Sequence, residues 1–271
     1  MVDRFAGIDA GASLWKVVHV GEELETAILP AGAAEEVRRR IAGWGLERIG
    51  LTGGGAARLA TILEGRDIRL VSEFEAWARG APVLAARAGW SLPPRYLLVS
   101  LGTGTSALAV EDGMARRVGG TALGGGTLLG LARLLCRVDS FAEIVDLAAR
   151  GDRGRVDLLV GDVYPEGDIP LPPELTASNF AKLASRDPAD LAHALLGLVG
   201  ENVGIPCAAM AAALGIDTLV FGGGALEGNP RLGEILRLTI ELSGREARFL
   251  PHGAFCGAVG AALGDDPAVP L

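Results

Sequence analysis

The first third of the chain alternates apolar and polar positions in short runs, interrupted by two stretches with helical spacing. Residues 5–10, "FAGIDA", and 16–20, "KVVHV", predict two strands joined by the turn "GASLW", and residues 26–30 predict a third. Helices and strands then alternate, with helix 34–45, strand and glycine turn 48–55, helix 56–65 and strand 68–74. The pattern predicts an α/β sheet of order βββαβαβ that begins with a hairpin.

A second, similar order begins in the middle of the chain. Residues 95–120, "RYLLVSLGTGTSALAVEDGMARRVGG", predict a strand, a Gly/Thr turn and a returning strand, as in the opening hairpin. The later segments predict helices at 127–138, 141–151 and about 188–214, strand and turn at 217–224, helix 229–242, strand 246–250 and a small-residue helix at 253–264. The duplication indicates two related α/β lobes, residues 1–94 and 95–271, with a boundary near "SLPPR" (91–95).

Length and charge narrow the possible function classes. A chain of 271 residues can bury the core of one large domain or two moderate ones. Lys and Arg number 25 against 33 Asp and Glu, so the formal net charge is −8, and no basic cluster interrupts this acidity. The electrostatic signature of nucleic-acid binding is therefore missing, and we expect no nucleic-acid partner.

The cysteines and the apolar windows bear on the cellular compartment. Cys136, Cys207 and Cys256 lie far apart among apolar residues, which fits neither a zinc site nor a disulfide framework. The N-terminus has no apolar run of signal-peptide length. The longest apolar window, 203–216, has 14 residues, fewer than the ~20 that a bilayer requires. The sequence predicts a cytoplasmic protein without a membrane span, in which this window is a core helix or part of a subunit interface.

Glycine is the compositional outlier, with 40 residues, about twice the usual ~7%. The glycines cluster in four turns after apolar strands, at 7–16, 100–108, 119–130 and 221–229. Glycine lets backbone N–H groups approach an anion, and the N-terminus of a following helix adds partial positive charge. Residues 124–135, "GGGTLLGLARLL", are therefore a candidate phosphate or nucleotide cradle.

Common nucleotide-binding motifs are missing from the chain. Neither the P-loop pattern G-x-x-x-x-G-K-[ST] nor the H-R-D and D-F-G signatures of protein kinases occur. Residues 102–107, "GTGTSA", fit G-x-G-x-x-A, but the residues after them predict a strand rather than a helix. The sequence therefore disfavours a dinucleotide-binding fold.

Asp9 lies in the first turn, directly after an apolar strand. A carboxylate there can hold hydrated Mg²⁺ opposite nucleotide phosphates, because Mg²⁺ usually binds through one or two carboxylates and keeps its waters. Lys16, at the start of the next strand, could reach the same phosphates. Asp9 is therefore a candidate magnesium ligand through water, and a residue that only caps the turn is the alternative.

Several segments spread over nearly the whole chain occur in a characteristic order: "GIDAGASLWKVV", "LTGGGA", "SEFEA", "LLVSLGTGTSALAVEDGMARRVGGTALGGGTLLGL", "GDRGRVDLLVGDVY", "LTASNF" and "GAFCGAVGA". Together they resemble the type II pantothenate kinases, the Fumble-like family of the actin-like ATPase superfamily. The resemblance implies two ribonuclease-H-like lobes of the acetate-and-sugar-kinase/Hsp70/actin fold, with ATP in the cleft between them and a homodimer built on the second lobe. It also implies that ATP and pantothenate give 4′-phosphopantothenate and ADP, at the start of coenzyme A synthesis.

The resemblance also assigns binding residues. Substrate contacts fall on Arg117, directly before "VGG", and on Thr105. The nucleotide contacts fall on Asp9, Ala10, Gly11, Ala12, Ser13, Leu14, Trp15, Lys16, Thr103, Gly125, Gly126, Thr127, Leu128, Leu129, Phe141, Gly223 and Gly224. Where the family commonly has Gly-Gly-Thr, this chain has Gly11-Ala12-Ser13, so Ala12 adds a methyl group where backbone approaches phosphate.

The catalytic glutamate of the family falls on Glu73, in "LVSEFEAWARG" (70–80). We expect a buried strand to end near Phe74, with Glu73 at its end facing the cleft. Glu75 would then lie in the first turn of the next helix, where a carboxylate meets the helix dipole favourably. Glu73 would accept the proton of the substrate hydroxyl. The resemblance implies that Arg117, directly before Val118, holds the pantothenate carboxylate in a bidentate ion pair, and the adjacent Arg116 is the alternative.

Two other interpretations stay open at this point. One is another actin-like small-molecule kinase or ATPase, such as an N-acetylglucosamine kinase-like or dehydratase-activator-like protein. An activator would need paired cysteines for an iron–sulfur cluster, and a sugar kinase usually relies on an Asp base, for which the chain offers no convincing candidate. The other is a catalytically silent nucleotide-binding or regulatory protein, which Ala12 favours and the pair of Glu73 and Arg117 disfavours.

Overall fold

The first lobe contains the hairpin-led sheet that the sequence predicts. The computed structural model describes residues 5–46, 48–164 and 171–263. The elements of this lobe are β1 Phe5–Ala10, β2 Leu14–Val20, β3 Leu24–Pro30, α1 Ala34–Trp44, β4 Arg48–Thr52, α2 Ala56–Ile62 and β5 Asp67–Leu70. The sheet order is β3-β2-β1-β4-β5. The predicted order βββαβαβ is confirmed.

The second lobe repeats this plan. After α3 Glu73–Arg87, the chain forms β6 Arg95–Leu101, β7 Thr105–Glu111, β8 Met114–Thr121, α4 Gly125–Leu135, α5 Phe141–Arg150, β9 Leu158–Leu159, α6 Val160–Val163, β10 Thr176–Ser178, α7 Pro188–Leu214, β11 Thr218–Gly222, α8 Pro230–Glu241, β12 Glu246–Phe249 and α9 Cys256–Leu263. The second sheet has the order β12-β11-β6-β7-β8, and β9 pairs with β10 separately. Within the described residues, each large sheet joins an antiparallel hairpin unit to parallel strands. The predicted two-lobed α/β fold is confirmed.

The 27-residue helix α7 forms much of the core of the second lobe. Asp187 caps it by accepting a hydrogen bond from the Ala189 N–H, and Pro188 occupies the first turn, where no intrahelical donor is needed. By length and composition alone α7 could cross a membrane, but 67% of its most apolar window is buried inside the protein. The predicted helix at about 188–214 is confirmed. The apolar window at 203–216 overlaps its C-terminal half, and the burial of α7 is typical of a core helix.

Helices α3 and α9 pack against each other between the two sheets. Glycines allow this close approach: a Cβ on Gly80 would lie 2.0 Å from the carbonyl oxygen of Cys256, and one on Gly260 would lie 1.7 Å from that of Ala76. Helix α9 also packs against β1 and β4 of the first sheet. The end of the described chain therefore returns to the first lobe, while the lobe boundary near residue 94 stays a prediction.

Candidate active site

A cavity of about 400 Å³ opens between the lobes, at the carboxyl ends of β1, β4, β6 and β11. The carboxyl ends of parallel strands are the usual ligand sites of α/β sheets. We call this cavity the interlobe cleft. It is lined by Asp9, Gly11, Ala12, Lys16, Gly53, Gly54, Glu73, Trp77, Ser100, Gly102, Thr103, Gly104, Thr105, Ser106, Thr121, Gly223, Gly224 and Ala254.

Tight turns from opposite lobes face each other across the cleft. The hydroxyl oxygens of Ser13 and Thr103 lie 3.4 Å apart, although 90 residues separate them in the chain. Gly223 has a φ of 118°, and a Cβ there would lie 2.2 Å from the carbonyl oxygen of Leu101. Only glycine fits this position without strain. The first turn, the Gly/Thr turn and the turn at 222–224 thus meet at the cleft, and their roles in nucleotide binding stay predictions.

Ala12 fits the first turn without backbone strain. It is exposed, lines the cleft, and is not among the non-glycine residues of positive φ in the described chain. The added methyl group therefore faces open space in the cleft rather than forcing the turn to change.

Asp9 is a buried carboxylate with incomplete charge compensation. It is only 7% exposed, and its Oδ2 lies 3.9 Å from Lys16 Nζ. Burial raises the pKa of Asp9 from 3.8 to about 6; Lys16 opposes this shift and the Glu73 carboxylate adds to it. Thr52 pairs with Asp9 across β1 and β4, and its buried hydroxyl has no hydrogen-bond partner among the described residues. A divalent cation would supply the missing positive charge, so these residues fit magnesium.

The structure corrects the local placement of Glu73. Strand β5 ends at Leu70, which is 57% exposed, and α3 begins at Glu73. The expectation that Glu73 ends a buried strand is therefore wrong. The physical reason is the cap: the Ser72 side chain accepts a hydrogen bond from the Glu75 N–H, which starts the helix earlier than the apolar pattern suggested.

Glu73 and Glu75 share the first turn of α3 but have different surroundings. Glu73 lines the cleft and lies close enough to Asp9 to affect its pKa. Glu75 forms an ion pair with Arg79 and accepts a hydrogen bond from the Ser72 hydroxyl. The prediction that Glu75 lies in the first helical turn is confirmed, and Glu75 contributes to the helix rather than to the cleft.

The N-terminus of α4 packs directly against the Gly/Thr turn. The N–H groups of Gly125 and Gly126 donate to the carbonyls of Gly102 and Thr103, at 2.8 and 3.0 Å. Two donors of the proposed phosphate cradle are therefore already engaged within the protein. A nucleotide role for residues 125–129 stays a prediction, and it would require other groups of this turn or a rearrangement of it.

Other predicted contact residues lie outside the set that lines the cleft. Ala10, Trp15 and Leu128 are buried in the cores of the lobes, so each could meet a nucleotide only through its backbone. Arg117 is exposed on β8, with its guanidinium beside Gly120. The cleft lining also does not include the predicted residues Leu14, Thr127, Leu129 and Phe141. Their assigned roles stay predictions.

Nine residues of the cleft lining are not among the predicted site residues: Gly53, Gly54, Trp77, Ser100, Gly102, Gly104, Ser106, Thr121 and Ala254. Ser100 and Ser106 lie opposite each other on β6 and β7 and line the cleft beside Thr105, whose own hydroxyl donates to the Leu123 carbonyl. The signal for them was the serine at each end of "SLGTGTS", since a hairpin brings such positions together. Trp77 lines the cleft four residues after Glu73, and a correct helix start would have placed both on one helix face.

The cysteines do not come together in the fold. Cys136, Cys207 and Cys256 are free and buried, as expected for core residues. In the described parts of the chain, no three His, Cys, Asp or Glu side chains form a metal-binding group. These thiols therefore give no support to the iron–sulfur cluster that a dehydratase activator would need.

Comparison with known proteins decides the family. A model of the family described as Fumble matches residues 90–264. Curated proteins named type II pantothenate kinase, from Bacillus anthracis and Staphylococcus haemolyticus (strain JCSC1435), are 32% identical over 267 residues and 33% over 263. These alignments cover 95% and 94% of this chain and 96% and 97% of the relatives. The chain belongs to the Fumble family of type II pantothenate kinases. The family expected from the motifs is confirmed.

Solved structures show that this Fumble-family chain has the actin-like kinase fold. The activator of 2-hydroxyisocaproyl-CoA dehydratase from Clostridium difficile, with bound ADPNP, matches with a TM-score of 0.66 at 17% identity, covering 96% of this chain and 93% of that one. A ROK family glucokinase from Streptomyces griseus, in complex with glucose and AMPPNP, matches with a TM-score of 0.56 at 16% identity, covering 96% and 98%. At such identities the likeness concerns the fold alone, and it confirms the predicted two-lobed architecture.

Proposed function

We propose that this protein transfers the γ-phosphoryl group of ATP to the primary hydroxyl of pantothenate, giving 4′-phosphopantothenate and ADP at the start of coenzyme A synthesis. The observation that carries the proposal is the interlobe cleft, where Asp9 and Glu73 of the first lobe face the Gly/Thr turn of the second. Relatives named type II pantothenate kinase, aligned over almost the full chain, support pantothenate as the acceptor.

Phosphoryl transfer has a loose transition state, so the protein mainly positions the reactants and stabilises charge. Glu73 would take the hydroxyl proton as the pantothenate oxygen bonds to the γ-phosphorus and the bond to the bridging oxygen of ADP breaks. Asp9 would hold Mg²⁺ through water, and Lys16 would approach the same phosphates. When bound, Mg²⁺ neutralises charge on the phosphate oxygens. Cleft hydroxyls and the turn at Gly223 and Gly224 would position the nucleotide.

We also propose a cytoplasmic homodimer formed through the second lobe. Ile205 on α7 and Leu242, directly after α8, are 60% and 46% exposed and line a groove of about 400 Å³. The window at 203–216 would then pack one face into the core and the other against a partner. Sedimentation should give the mass of a dimer, and a monomer at assay concentration would contradict this arrangement.

Arg117 should control the affinity for pantothenate. If it binds the pantothenate carboxylate through two hydrogen bonds, Arg117→Lys loses the planar bidentate contact. We expect the KM for pantothenate to rise about tenfold or more, as for a lost charged hydrogen bond, while kcat and the KM for ATP change little. Steady-state kinetics measure this, with Arg116→Lys as the matched control. Equal effects of the two variants, or none, would remove Arg117 from the substrate site.

The proposed reaction is tested by ADP release from the purified protein with ATP and Mg²⁺. Pantothenate, pantetheine and N-acetylglucosamine are compared as acceptors. We expect turnover with pantothenate and none above background with the sugar. ATP binding without turnover on pantothenate or pantetheine would instead support the silent nucleotide-binding alternative, and turnover with the sugar alone would support another actin-like kinase.

A further inference from the structure

Trp77 is a large, buried aromatic residue that forms part of the lining of the interlobe cleft. It is 4% exposed and lines the cleft together with Asp9 and Glu73. It follows Glu73 by four residues in α3, so the two side chains share one helix face, one turn apart. An indole does not ionise near neutral pH, so the phosphoryl transfer gives Trp77 no acid–base step of its own.

The indole fits between two glycines whose missing side chains leave room for it, Gly222 at the end of β11 and Gly257 in α9. A Cβ on Gly222, at the end of β11 in the second sheet, would lie 3.2 Å from Trp77 Cζ3. A Cβ on Gly257, in the first turn of α9, would lie 2.9 Å from Nε1 and 3.3 Å from Cδ1. Since α9 packs on the first sheet, the indole bridges elements of both lobes.

Asp9 lies against the same glycine. The Cβ position on Gly257 that would crowd the indole is 3.2 Å from Asp9 Oδ2. The backbone carbonyl of Trp77 also accepts a hydrogen bond from the Sγ of Cys256, at 3.4 Å, which ties α3 to the start of α9. Both first-lobe carboxylates of the cleft therefore lie near this indole: Asp9 beside the Gly257 position that the indole also meets, and Glu73 one helical turn away.

From these contacts we propose that Trp77 is a positioning residue for phosphoryl transfer. Its indole, wedged between Gly222 and Gly257, sets the distance of Asp9 and Glu73 from the second-lobe nucleotide turn. This inference rests on the roles proposed above for the two carboxylates. Because a misplacement of about 1 Å in reacting groups can cost about 10²-fold in rate, a smaller side chain at position 77 should slow the chemical step more than it weakens substrate binding.

Trp77→Phe tests this directly, because it keeps a buried aromatic ring next to Cβ and removes the outer part of the benzo ring, including the Cζ3 atom that faces Gly222. We expect kcat to fall about tenfold or more, with little change in the KM for ATP or pantothenate. Trp90→Phe is the matched control, since Trp90 is half-buried, stacks on Arg248 and lies outside the cleft lining; its kinetics should match the wild type. Unchanged kcat in Trp77→Phe, or a rise in KM alone, would overturn the proposal.

Gly222→Ala provides a second, coupled test. The new Cβ would lie 3.2 Å from Trp77 Cζ3, so this change alone should also lower kcat. In Trp77→Phe that atom is absent, so adding Gly222→Ala there should cost clearly less than it does in the wild type. Strictly additive losses of kcat would mean that the two positions act independently. That result would contradict the proposal that the indole, held between the two glycines, positions Asp9 and Glu73.

Fluorescence gives a readout that does not depend on turnover. Because Trp15 lies in the predicted nucleotide turn, the measurement uses Trp15→Phe as the background. In this background, binding of AMPPNP with Mg²⁺ should change the tryptophan emission with Trp90→Phe added, but not with Trp77→Phe added. A response that persists in Trp77→Phe would place the reporting tryptophan elsewhere and count against the proposal. If Glu73→Gln kept full turnover, the assignment of Glu73 as general base would be wrong. The fluorescence response and the coupled variants would still show whether Trp77 is a positioning residue.

Discussion

Glu73→Gln should lower the turnover of pantothenate by about 10²–10⁴-fold, the usual contribution of a general base. Gln keeps the size and polarity of the side chain but cannot accept the hydroxyl proton. Because Glu73 begins α3 and reaches the cleft from an exposed position, the substitution should leave the fold and nucleotide affinity unchanged. Single-turnover kinetics and AMPPNP titration measure the two quantities separately.

Glu75→Gln is the matched control for this substitution. Glu75 lies in the same helical turn but pairs with Arg79 and the Ser72 hydroxyl. An exposed ion pair of this kind contributes at most about 1 kcal/mol to stability, so turnover should stay near the wild-type value. A larger loss of turnover in Glu75→Gln than in Glu73→Gln would reverse the assignment of the base.

Gly260→Ala should produce the largest loss of stability. A Cβ on Gly260 would lie 1.7 Å from the Ala76 carbonyl oxygen, so α3 and α9 would have to move apart. Overpacking of this severity costs about 3 kcal/mol or more, which corresponds to a fall in Tm of about 10 °C. Turnover should also fall, because α3 carries Glu73 and α9 packs beside Asp9. Thermal unfolding and activity assays measure both effects.

Gly130→Ala is the control for a glycine within a helix. Gly130 lies in α4, and a Cβ there would meet nothing within 4 Å. Alanine favours a helix interior over glycine by up to about 1 kcal/mol, so this variant should be as stable as the wild type or slightly more so. If Gly130→Ala and Gly260→Ala destabilised the protein equally, close helix contact would not explain the loss.

The sequence predicted the arrangement of strands because local pattern and turn chemistry agree along both halves. The β-branched run at 16–20 and the glycine turns at 102–104 and 222–224 are local signals, and the structure follows them. The beginning of α3 was predicted wrongly, because the Ser72 cap overrides the apolar run of 68–74. One serine side chain decided this boundary.

The composition of the cleft was only partly predictable. Motifs identified Asp9, Glu73 and Thr103, but sequence alone cannot show which groups are already bonded inside the protein. The N–H groups of Gly125 and Gly126 are an example, because their acceptors lie on another turn. Trp77 was missed for a similar reason: its slot depends on Gly222 and Gly257, which come close only in the folded chain.

The most direct test of the account is the identity of the product. Pantothenate is incubated with ATP, Mg²⁺ and either the wild type or Glu73→Gln, and the mixture is analysed by mass spectrometry. We predict that the wild type forms phosphorylated pantothenate in step with ADP, and that Glu73→Gln forms almost none while it still binds AMPPNP. ADP formation without phosphorylated pantothenate, or full product formation by Glu73→Gln, would contradict the account.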